Sequence, residues 1–252
     1  MKLALVGTGQ MGEAVEALVE ERGHDIEARF NSESPLTESE RSAVDDVDVA
    51  IDFSLPPLAV RHIERYCQWG IPAVVGTTGW YEHLPEVKRW VEEYDAALLY
   101  APNFSLGIAI LVRALKAVTP LLEQLPEYDP FVHEVHHVRK MDSPSGTATM
   151  IAGLLVDGLS RKKRIVAETQ HGRIDDDALH VTSTRAGRVV GEHVVGFDSA
   201  YDSVTLNHQA KNRQGFAFGA LRAAEWLHGR KGLFTLDDVL ADWMGHPSST
   251  ES

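Results

Sequence analysis

Two histidines and a lysine stand close together near the middle of the chain, in Glu134-Val-His-His-Val-Arg-Lys-Met-Asp-Ser-Pro-Ser-Gly-Thr-Ala148. Once their pKa values are tuned, His136 and Lys140 are able to donate and accept protons near neutral pH. Just after them, Ser143-Pro-Ser-Gly146 predicts a helix start, with serine at the N-cap and proline at the first helical position. The free amides of a helix start bind anions, and Gly146 lets a ligand approach the backbone. The stretch therefore predicts a proton donor beside a site for a carboxylate or phosphate.

The same stretch also matches a zinc-protease pattern, because His133-Glu-Val-His-His137 reads H-E-x-x-H. That pattern requires a helix, whereas the proline, β-branched and aromatic residues in Tyr128-Asp-Pro-Phe-Val132 favour a strand. Residues four apart on a strand are roughly 13 Å apart, too far to share one ion. We therefore predict no metal site. The plain alternative is an ordinary strand that carries histidines, followed by a solvated Arg139 and Lys140.

Length and composition narrow the class of protein. A chain of 252 residues with 44% hydrophobic content forms one large domain or two modest ones around a real core. No apolar run reaches membrane-spanning length, and the N-terminal residues lead straight into a strand rather than a signal peptide. The single cysteine, Cys67, suits a reducing cytoplasm, and a net charge of −13 argues against non-specific nucleic-acid binding. We predict a cytoplasmic protein with neither nucleic acid nor membrane as a partner.

The N-terminus carries a dinucleotide-binding fingerprint. Lys2-Leu-Ala-Leu-Val6 is continuously apolar, as expected of a parallel strand that is buried on both faces. An amphipathic helix is predicted over residues 13–22, so the intervening G-x-G-x-x-G lies between a strand and a helix, as it must. The three glycines allow a tight turn, a close approach to pyrophosphate and helix–strand packing. The candidate cofactor-binding residues here are Gly7, Thr8, Gly9, Gln10, Met11 and Gly12.

The end of the second predicted strand, residues 25–31, should meet the adenosine ribose. Asn31 and Ser32 stand there and can hydrogen-bond a ribose hydroxyl or a phosphate without carrying charge. Arg29 would favour a 2′-phosphate, and Glu33 would repel one. Because these effects oppose each other, we predict use of both NADH and NADPH, with a preference below about tenfold, or roughly 1.4 kcal/mol.

Strand and helix signals alternate through the rest of the first half. Buried strands are predicted at residues 48–54, 70–75 and 96–100, and a long apolar helix from residue 108 to about residue 125. This alternation predicts a Rossmann-type doubly wound parallel sheet, in which ligands bind at the carboxyl ends of the strands.

The pattern changes in the second half. Strands with alternating or β-branched residues are predicted at residues 131–138, 179–184, 188–197 and 203–209, which indicates a mixed sheet. The fold class predicted is therefore α/β, with a smaller α+β domain on a mixed sheet after the Rossmann-type parallel sheet.

Helices return at residues 216–227 and 236–244, where Thr235 and Asp238 approximate a capping box. The sequence does not say on which domain helix 216–227 packs.

Taken together, these motifs make the chain resemble the 4-hydroxy-tetrahydrodipicolinate reductase (dihydrodipicolinate reductase) family over nearly its whole length. The stretch 134–148 is similar to the family's E-x-H-H-x-x-K-x-D-x-P-S-G-T-A almost position for position. Gly76-Thr-Thr-Gly79 and Ala101-Pro-Asn-Phe-Ser-Leu-Gly107 resemble its two nicotinamide-side loops. Similarity to its C-terminal domain lies in Arg185-Ala-Gly187, Gly191-Glu-His193 and His208-Gln-Ala210.

The resemblance implies that NADH or NADPH reduces the cyclic dicarboxylate 4-hydroxy-2,3,4,5-tetrahydrodipicolinate to 2,3,4,5-tetrahydrodipicolinate, a step of diaminopimelate and lysine biosynthesis. It implies that His136 donates or accepts a proton and that Lys140 donates one. It also implies a homotetramer built through the sheets of the second domain, and a last pair of helices that returns to the first domain. The predicted domains are therefore a dinucleotide-binding domain, residues 1–106 with 214–252, and a substrate-binding and oligomerisation domain, residues 107–213. The residues implied at the substrate carboxylate are His137, Lys140, Ser145, Gly146 and Thr147; further residues implied at the cofactor are Gly76, Thr77, Thr78, Ala101, Pro102, Asn103 and Phe104.

Departures from the family pattern fall outside the stretch 134–148. Gln10-Met11 stands where the family commonly has an arginine, in a loop that is one residue shorter, and a usual Gly-Glu turn is replaced near residues 198–202. These departures concern the cofactor more than the reaction. Two other functions remain open on the sequence: a small amino-acid dehydrogenase of the aspartate or homoserine type, and a non-catalytic NAD(P)-sensing regulator. Neither would need the His-His-x-x-Lys and Ser-Gly-Thr residues.

Overall fold

The computed structural model describes residues 1–245, which contain eleven β-strands and seven α-helices. The strands are β1 (Lys2–Val6), β2 (Asp25–Phe30), β3 (Val49–Asp52), β4 (Ala73–Val75), β5 (Ala97–Tyr100), β6 (Asp129–His136), β7 (Arg164–Val166), β8 (Ala178–Arg185), β9 (Glu192–Asp198), β10 (Ser203–Gln209) and β11 (Gly232–Thr235). The helices are α1 (Gln10–Val19), α2 (Pro56–Trp69), α3 (Leu84–Glu93), α4 (Leu106–Glu123), α5 (Gly146–Gly158), α6 (Gln214–Leu227) and α7 (Leu236–Trp243).

The described chain divides into two compact units, Met1–Leu106 with the chain from Arg213 onward, and Gly107–Asn212. In the first unit a six-stranded sheet has the order β11-β5-β4-β3-β1-β2, and every neighbouring pair of strands is parallel. The fold class predicted for this half is confirmed. All carboxyl ends of these strands therefore lie at one edge of the sheet. Strand β11 was missed because it is only four residues long and begins with a glycine, so it has almost no periodicity.

The second unit is built on a five-stranded mixed sheet with the order β10-β9-β6-β8-β7. Strand β6 pairs in parallel with β8 and antiparallel with β9, as the change in sequence pattern predicted. Strand β9 begins at Glu192, four residues later than expected, because residues 188–191 form a turn and its exit. Helices α4 and α5 supply much of the buried core of this unit, against one face of the sheet.

Two helix starts differ from the sequence prediction. Helix α1 begins at Gln10, directly after the glycine turn, rather than at residue 13. Helix α5 begins at Gly146 with Ser145 as the N-cap, so Pro144 precedes the helix instead of filling its first position. The physical reason is that the Ser145 hydroxyl accepts the N–H of Ala148, and this cap fixes where the helix begins.

Helix α6 packs on α1 and on strands β3, β4 and β5, which answers the question that the sequence left open about residues 216–227. The predicted capping box at Thr235 and Asp238 is confirmed at the start of α7. Across residues 1–245, no helix is both long enough and apolar enough to cross a membrane.

Gly219 of α6 provides a test of packing in the first unit. A Cβ there would lie 1.8 Å from the carbonyl oxygen of Phe104, and backbone cannot move aside as a flexible side chain can. We expect Gly219→Ala to lower the free energy of unfolding by about 1–3 kcal/mol, measured by urea denaturation. Gly153→Ala in α5 is the matched control, because its Cβ would meet no atom within 4 Å and the loss of a helical glycine stabilises by roughly 0.5–1 kcal/mol. Equal effects of the two changes would contradict this account.

Candidate active site

A buried carboxylate, that of Glu134, is the centre of the candidate site in the second unit. Residues two apart on β6 share one face of the strand, so Glu134 and His136 lie side by side. Glu134 accepts hydrogen bonds from Arg185 Nη1 and Nη2 at 2.9 and 2.8 Å and from His136 Nδ1 at 2.5 Å. It also accepts from the backbone N–H of Ser145 at 3.1 Å. One carboxylate therefore joins the ends of β6 and β8 to the start of α5.

Glu134 is held in its ionised form. Burial alone would raise its pKa, but the hydrogen bonds from Arg185 and His136 outweigh burial and lower the pKa of Glu134 to about 2. The paired fork of Arg185 and a carboxylate is a geometrically specific interaction. Arg185 also donates from Nη2 to the carbonyl oxygen of Asp142 at 2.6 Å, so the ion pair holds the loop between β6 and α5 as well.

The ring of His136 is fixed by this carboxylate. An ionised Glu134 can only accept hydrogen bonds, so Nδ1 of His136 carries a hydrogen and Nε2 is left for proton transfer. No hydrogen bond to Nε2 is formed within the described residues. A Cβ on Gly191 would lie 2.9 Å from this Nε2, so a glycine there leaves the room that the ring occupies.

Ser145 is engaged within the protein on all sides. Its hydroxyl caps α5 by accepting from Ala148 and lies 3.1 Å from Nε2 of His193. His193 is buried, and this burial, with the neighbouring histidines, lowers its pKa to about 4, so the ring is neutral at pH 7. Since its backbone N–H also binds Glu134, we expect Ser145 to shape the start of the helix rather than to contact a ligand through its side chain.

The ammonium group of Lys140 and the first amide of α5 meet at one carboxylate, that of Asp142. Lys140 Nζ lies 2.8 Å from Asp142 Oδ1, and the N–H of Gly146 donates to Asp142 Oδ2 over 3.3 Å. The hydrogen bond from Lys140 lowers the pKa of Asp142. Lys140 and the amide of Gly146, which the sequence predicted to bind an anion, therefore already bind a carboxylate of the protein itself, that of Asp142.

The other residues of this stretch lie around the same loop. The carbonyl of His137 accepts from the N–H of Lys140, which forms the turn after β6. Thr147 lies in the first turn of α5. His133 lies on β6, and the strand ends before His137, so the H-E-x-x-H residues do not form a helix. Among residues 1–245, no group of three or more His, Cys, Asp or Glu side chains is arranged to hold a metal ion.

The first unit presents the glycine turn at the carboxyl end of β1. Gly7 has φ +90°, a conformation that favours glycine, and a Cβ there would lie 2.4 Å from the carbonyl oxygen of Phe53. A Cβ on Gly12 would lie 2.1 Å from the oxygen of Gly7, so that glycine allows α1 to pack on the turn. A Cβ on Gly9 would meet no atom within 4 Å, which leaves open space for a ligand at the start of the helix.

A cavity of about 270 Å³ lies at the ends of β1, β2 and β3. It brings Gly7, Thr8, Gly9, Asn31 and Ser32 of the candidate cofactor residues together; Gln10, Met11 and Gly12 belong to the first turn of α1 and do not line it. The side-chain oxygen of Asn31 accepts from the backbone of the following turn, at residues 33 and 34.

The remaining candidate cofactor residues follow the next strands of the same sheet edge. Gly76, Thr77 and Thr78 come after β4, and Ala101, Pro102, Asn103 and Phe104 come after β5. Thr77 is buried and donates to Asp52, and Phe104 packs edge-to-face on Phe53, so these side chains support the loops rather than face solvent.

Comparisons with known proteins agree along the whole chain. Models of the N-terminus and C-terminus of dihydrodipicolinate reductase match residues 1–104 and 107–240. The 4-hydroxy-tetrahydrodipicolinate reductase of Christiangramia forsetii is 36% identical over 242 residues, covering 96% of this chain and 98% of the relative. That of Natronomonas pharaonis is 34% identical over 254 residues, covering 95% of this chain and 100% of the relative.

The chain belongs to the dihydrodipicolinate reductase family. It is accordingly an oxidoreductase of the 4-hydroxy-tetrahydrodipicolinate reductase type, which acts in lysine biosynthesis, and the N-terminal domain of this family binds NAD(P)H. The amino-acid dehydrogenase and the non-catalytic regulator are thereby set aside. A structure of dihydrodipicolinate reductase from Paenisporosarcina sp. TG-14, described as dipicolinate-bound, shares the fold with a TM-score of 0.74 at 24% identity, covering 93% of this chain and 97% of that one.

Sequence reasoning missed the supporting residues of the dihydrodipicolinate reductase site. Glu134 and Arg185 are 51 residues apart in the chain, and His193 and Ser145 are 48 apart, so no local spacing shows that they meet. One signal was available: Glu134 alternates with His136 on a predicted strand, where a charged side chain on the buried face needs a partner.

Glu134→Gln tests whether the buried carboxylate organises this site. The change leaves the Arg185 guanidinium without its counter-charge, and breaking a buried pair on one side costs about 3–5 kcal/mol. We expect a fall in the free energy of unfolding of that order together with loss of reductase activity. Glu168→Gln, at an exposed carboxylate of the same unit, should change neither quantity appreciably. Wild-type stability and turnover in Glu134→Gln would contradict the central role of Glu134.

The buried neutral His193 predicts a dependence of stability on pH. Because its pKa falls from about 6.5 in the unfolded chain to about 4 in the folded protein, the unfolded state binds more protons between these values. Stability should therefore fall by about 3 kcal/mol as the pH drops from 6.5 to 4. Urea denaturation at several pH values gives the free energy of unfolding at each pH. The slope of this free energy against pH, between pH 4 and 6.5, should be smaller in His193→Gln than in the wild type. The exposed His83→Gln should keep the wild-type slope, and an unchanged slope in both variants would refute this assignment.

Proposed function

We propose that the protein reduces 4-hydroxy-2,3,4,5-tetrahydrodipicolinate with NADH or NADPH, using His136 and Lys140 to move protons and the start of α5 to hold a substrate carboxylate. The observation that carries this proposal is the loop from β6 to α5, where an ammonium group and a helix amide already share the Asp142 carboxylate. An external carboxylate would find the same two donors. The substrate of this family carries two carboxylates, which suits such a site.

The reaction replaces a hydroxyl group by hydrogen, so it consumes one hydride and one proton and releases water. Lys140 is a cationic donor close to the anion site and is suited to protonate the leaving hydroxyl. His136 is held by Glu134 through Nδ1, and Nε2 makes no hydrogen bond within residues 1–245, so the ring can give or take a proton at that atom. His137, Gly146 and Thr147 would complete the carboxylate site, with Ser145 fixing the helix start.

The residues of the first unit fit a nicotinamide dinucleotide, which supplies the hydride when bound. The left-handed Gly7 and the open space at Gly9 suit a pyrophosphate at the start of α1. Asn31 and Ser32 would meet the ribose, and the loops 76–78 and 101–104 would hold the nicotinamide end. Arg29 pairs with Glu16 at 2.6 Å and is therefore not committed to a 2′-phosphate, which supports the use of both cofactors.

A homotetramer and a cytoplasmic location complete the proposal. Both rest on the family resemblance, and the location rests also on the single cysteine, Cys67, which is buried and forms no disulfide. Light scattering on the purified protein measures the oligomeric state directly, and a monomer at micromolar concentration would reject the tetramer.

Replacing either proposed proton donor should remove chemistry more than cofactor binding. General acid–base catalysis contributes roughly 10²–10⁴-fold, so we expect His136→Gln and Lys140→Ala to lower kcat by that order while the Kd for NADH stays near wild type. Turnover is followed by the absorbance of the reduced nicotinamide. The substrate is supplied as the condensation product of the aldehyde precursor and pyruvate. Arg139→Ala, next to Lys140 in the sequence, is the control. Wild-type kcat in both variants at saturating substrate would show that the assignment is wrong.

Asp142→Asn tests the anion site by weakening the internal carboxylate. Asparagine has nearly the same shape but no charge, so Lys140 and Gly146 become more available to an external ligand. We expect the Kd of pyridine-2,6-dicarboxylate, measured by calorimetry, to fall several-fold, by about 1 kcal/mol. Asp176→Asn, an exposed acid of the same unit, controls for the change of net charge. Weaker binding in Asp142→Asn alone would mean that Asp142 supports the ligand instead of competing with it.

A further inference from the structure

The first unit holds a second buried carboxylate, that of Asp52 at the carboxyl end of β3. Its oxygens accept from the N–H of Ser54 at 2.8 Å, from Nδ1 of His62 at 2.9 Å and from the hydroxyl of Tyr66 at 2.8 Å. The hydroxyl of Thr77 donates to it over 3.2 Å. Four donors from three segments of chain converge on a side chain that has no solvent exposure.

This carboxylate decides which nitrogen of His62 carries the hydrogen. Burial raises the pKa of Asp52, but the hydrogen bonds from His62 and its neighbours outweigh burial and keep that pKa below its ordinary value. An ionised carboxylate only accepts, so Nδ1 of His62 carries a hydrogen, and in the neutral tautomer this is the one hydrogen on the ring nitrogens. The other ring nitrogen, Nε2, then presents a lone pair and acts as a hydrogen-bond acceptor.

Nε2 of His62 is buried and has no hydrogen-bond partner within residues 1–245. A buried polar atom left unmatched costs about 1–3 kcal/mol, so such an atom calls for an explanation. His62 lines the 270 Å³ cavity at the ends of β1, β2 and β3, together with the glycine turn and Asn31. An acceptor in the wall of a ligand cavity is explained if the ligand brings a donor.

The rest of that wall suits a flat heteroaromatic ring. Apart from the glycine turn, Asn31 and Ser32, the cavity is lined mainly by apolar side chains: Phe30, Pro35, Leu36, Phe53, Leu55 and Leu58. In this fold the pyrophosphate binds at the glycine turn and the ribose at the end of the second strand. The base attached to that ribose therefore lies in the apolar part of the cavity, on the side formed by α2, which carries His62.

We propose that Nε2 of His62 accepts a hydrogen bond from the exocyclic 6-amino group of the cofactor's adenine. His62 is then the residue that makes binding selective for adenine. This inference rests on the proposed use of NADH or NADPH. It adds a selectivity that the glycine turn and the ribose contacts do not provide, because those groups are the same whatever base is attached.

The test compares NADH with its hypoxanthine analogue, in which a carbonyl oxygen replaces the 6-amino group. Dissociation constants are measured without substrate by the fluorescence of the reduced nicotinamide. For the wild-type protein we expect the analogue to bind about tenfold more weakly or worse, because a donor is lost and two acceptors face each other. Equal affinity for the two, or tighter binding of the analogue, would overturn the contact while leaving the proposed function intact. Binding of neither dinucleotide would overturn both.

His62→Asn is the informative variant. The amide nitrogen of asparagine can replace Nδ1 as a donor to Asp52, whereas nothing replaces Nε2. We expect its discrimination between the two dinucleotides to fall below about threefold. Tyr66→Phe is the matched control, because it also removes one donor to Asp52 but leaves Nε2 of His62 in place, so it should keep the wild-type ratio. Retention of the wild-type ratio in His62→Asn, or its loss in Tyr66→Phe, would refute the assignment. If His62→Asn does not fold, the wild-type comparison alone still decides.

Discussion

The ion pair between Glu134 and Arg185 is the interaction on which the substrate-side site depends. Burying both charges has a large desolvation cost, and such pairs add little to stability when compared with apolar residues of the same size. What this pair supplies is position. The pair joins β6 to β8, and Arg185 also binds the loop carbonyl of Asp142. Glu134 fixes the ring of His136 and accepts a hydrogen bond from the backbone N–H of Ser145, just before α5. A proton donor, a cation and a helix start are thereby assembled around one rigid carboxylate.

Each unit uses the same physical device. A buried carboxylate at the end of a strand, Glu134 in one unit and Asp52 in the other, accepts from Nδ1 of a histidine and so determines the state of its Nε2. The surroundings of each ring then determine what its Nε2 can do. Nε2 of His136 lies beside Gly191, where proton transfer is possible, whereas Nε2 of His62 is enclosed beside an apolar cavity, where a stable hydrogen bond is possible.

The sequence predicted those parts of the molecule that depend on local patterns. Continuous apolar runs identified the parallel strands, and the spacing of Gly7 and Gly12 identified the turn, because each of these signals is contained within a few consecutive residues. Strand β11 was missed because its pairing with β5 is specified by residues more than 130 positions away. For the same reason the spacing pointed to His136 and Lys140 but not to Arg185 or His193, whose contacts form only when distant strands meet. The start of α5 was placed two residues early, since the hydroxyl of Ser145 outweighs the preference of proline for a first turn.

The order of the strands also has a consequence for synthesis on the ribosome. The second unit is one continuous segment, Gly107–Asn212, so all of it is synthesised before α6 and β11 of the first unit. The nucleotide-binding sheet needs β11 at its edge beside β5 and needs α6 against β3, β4 and β5. The part of the first unit that is made first therefore cannot complete its sheet until the last part of the unit has been added. Early termination of translation after residue 212 would leave a complete second unit attached to a nucleotide-binding sheet that lacks its edge and its covering helix.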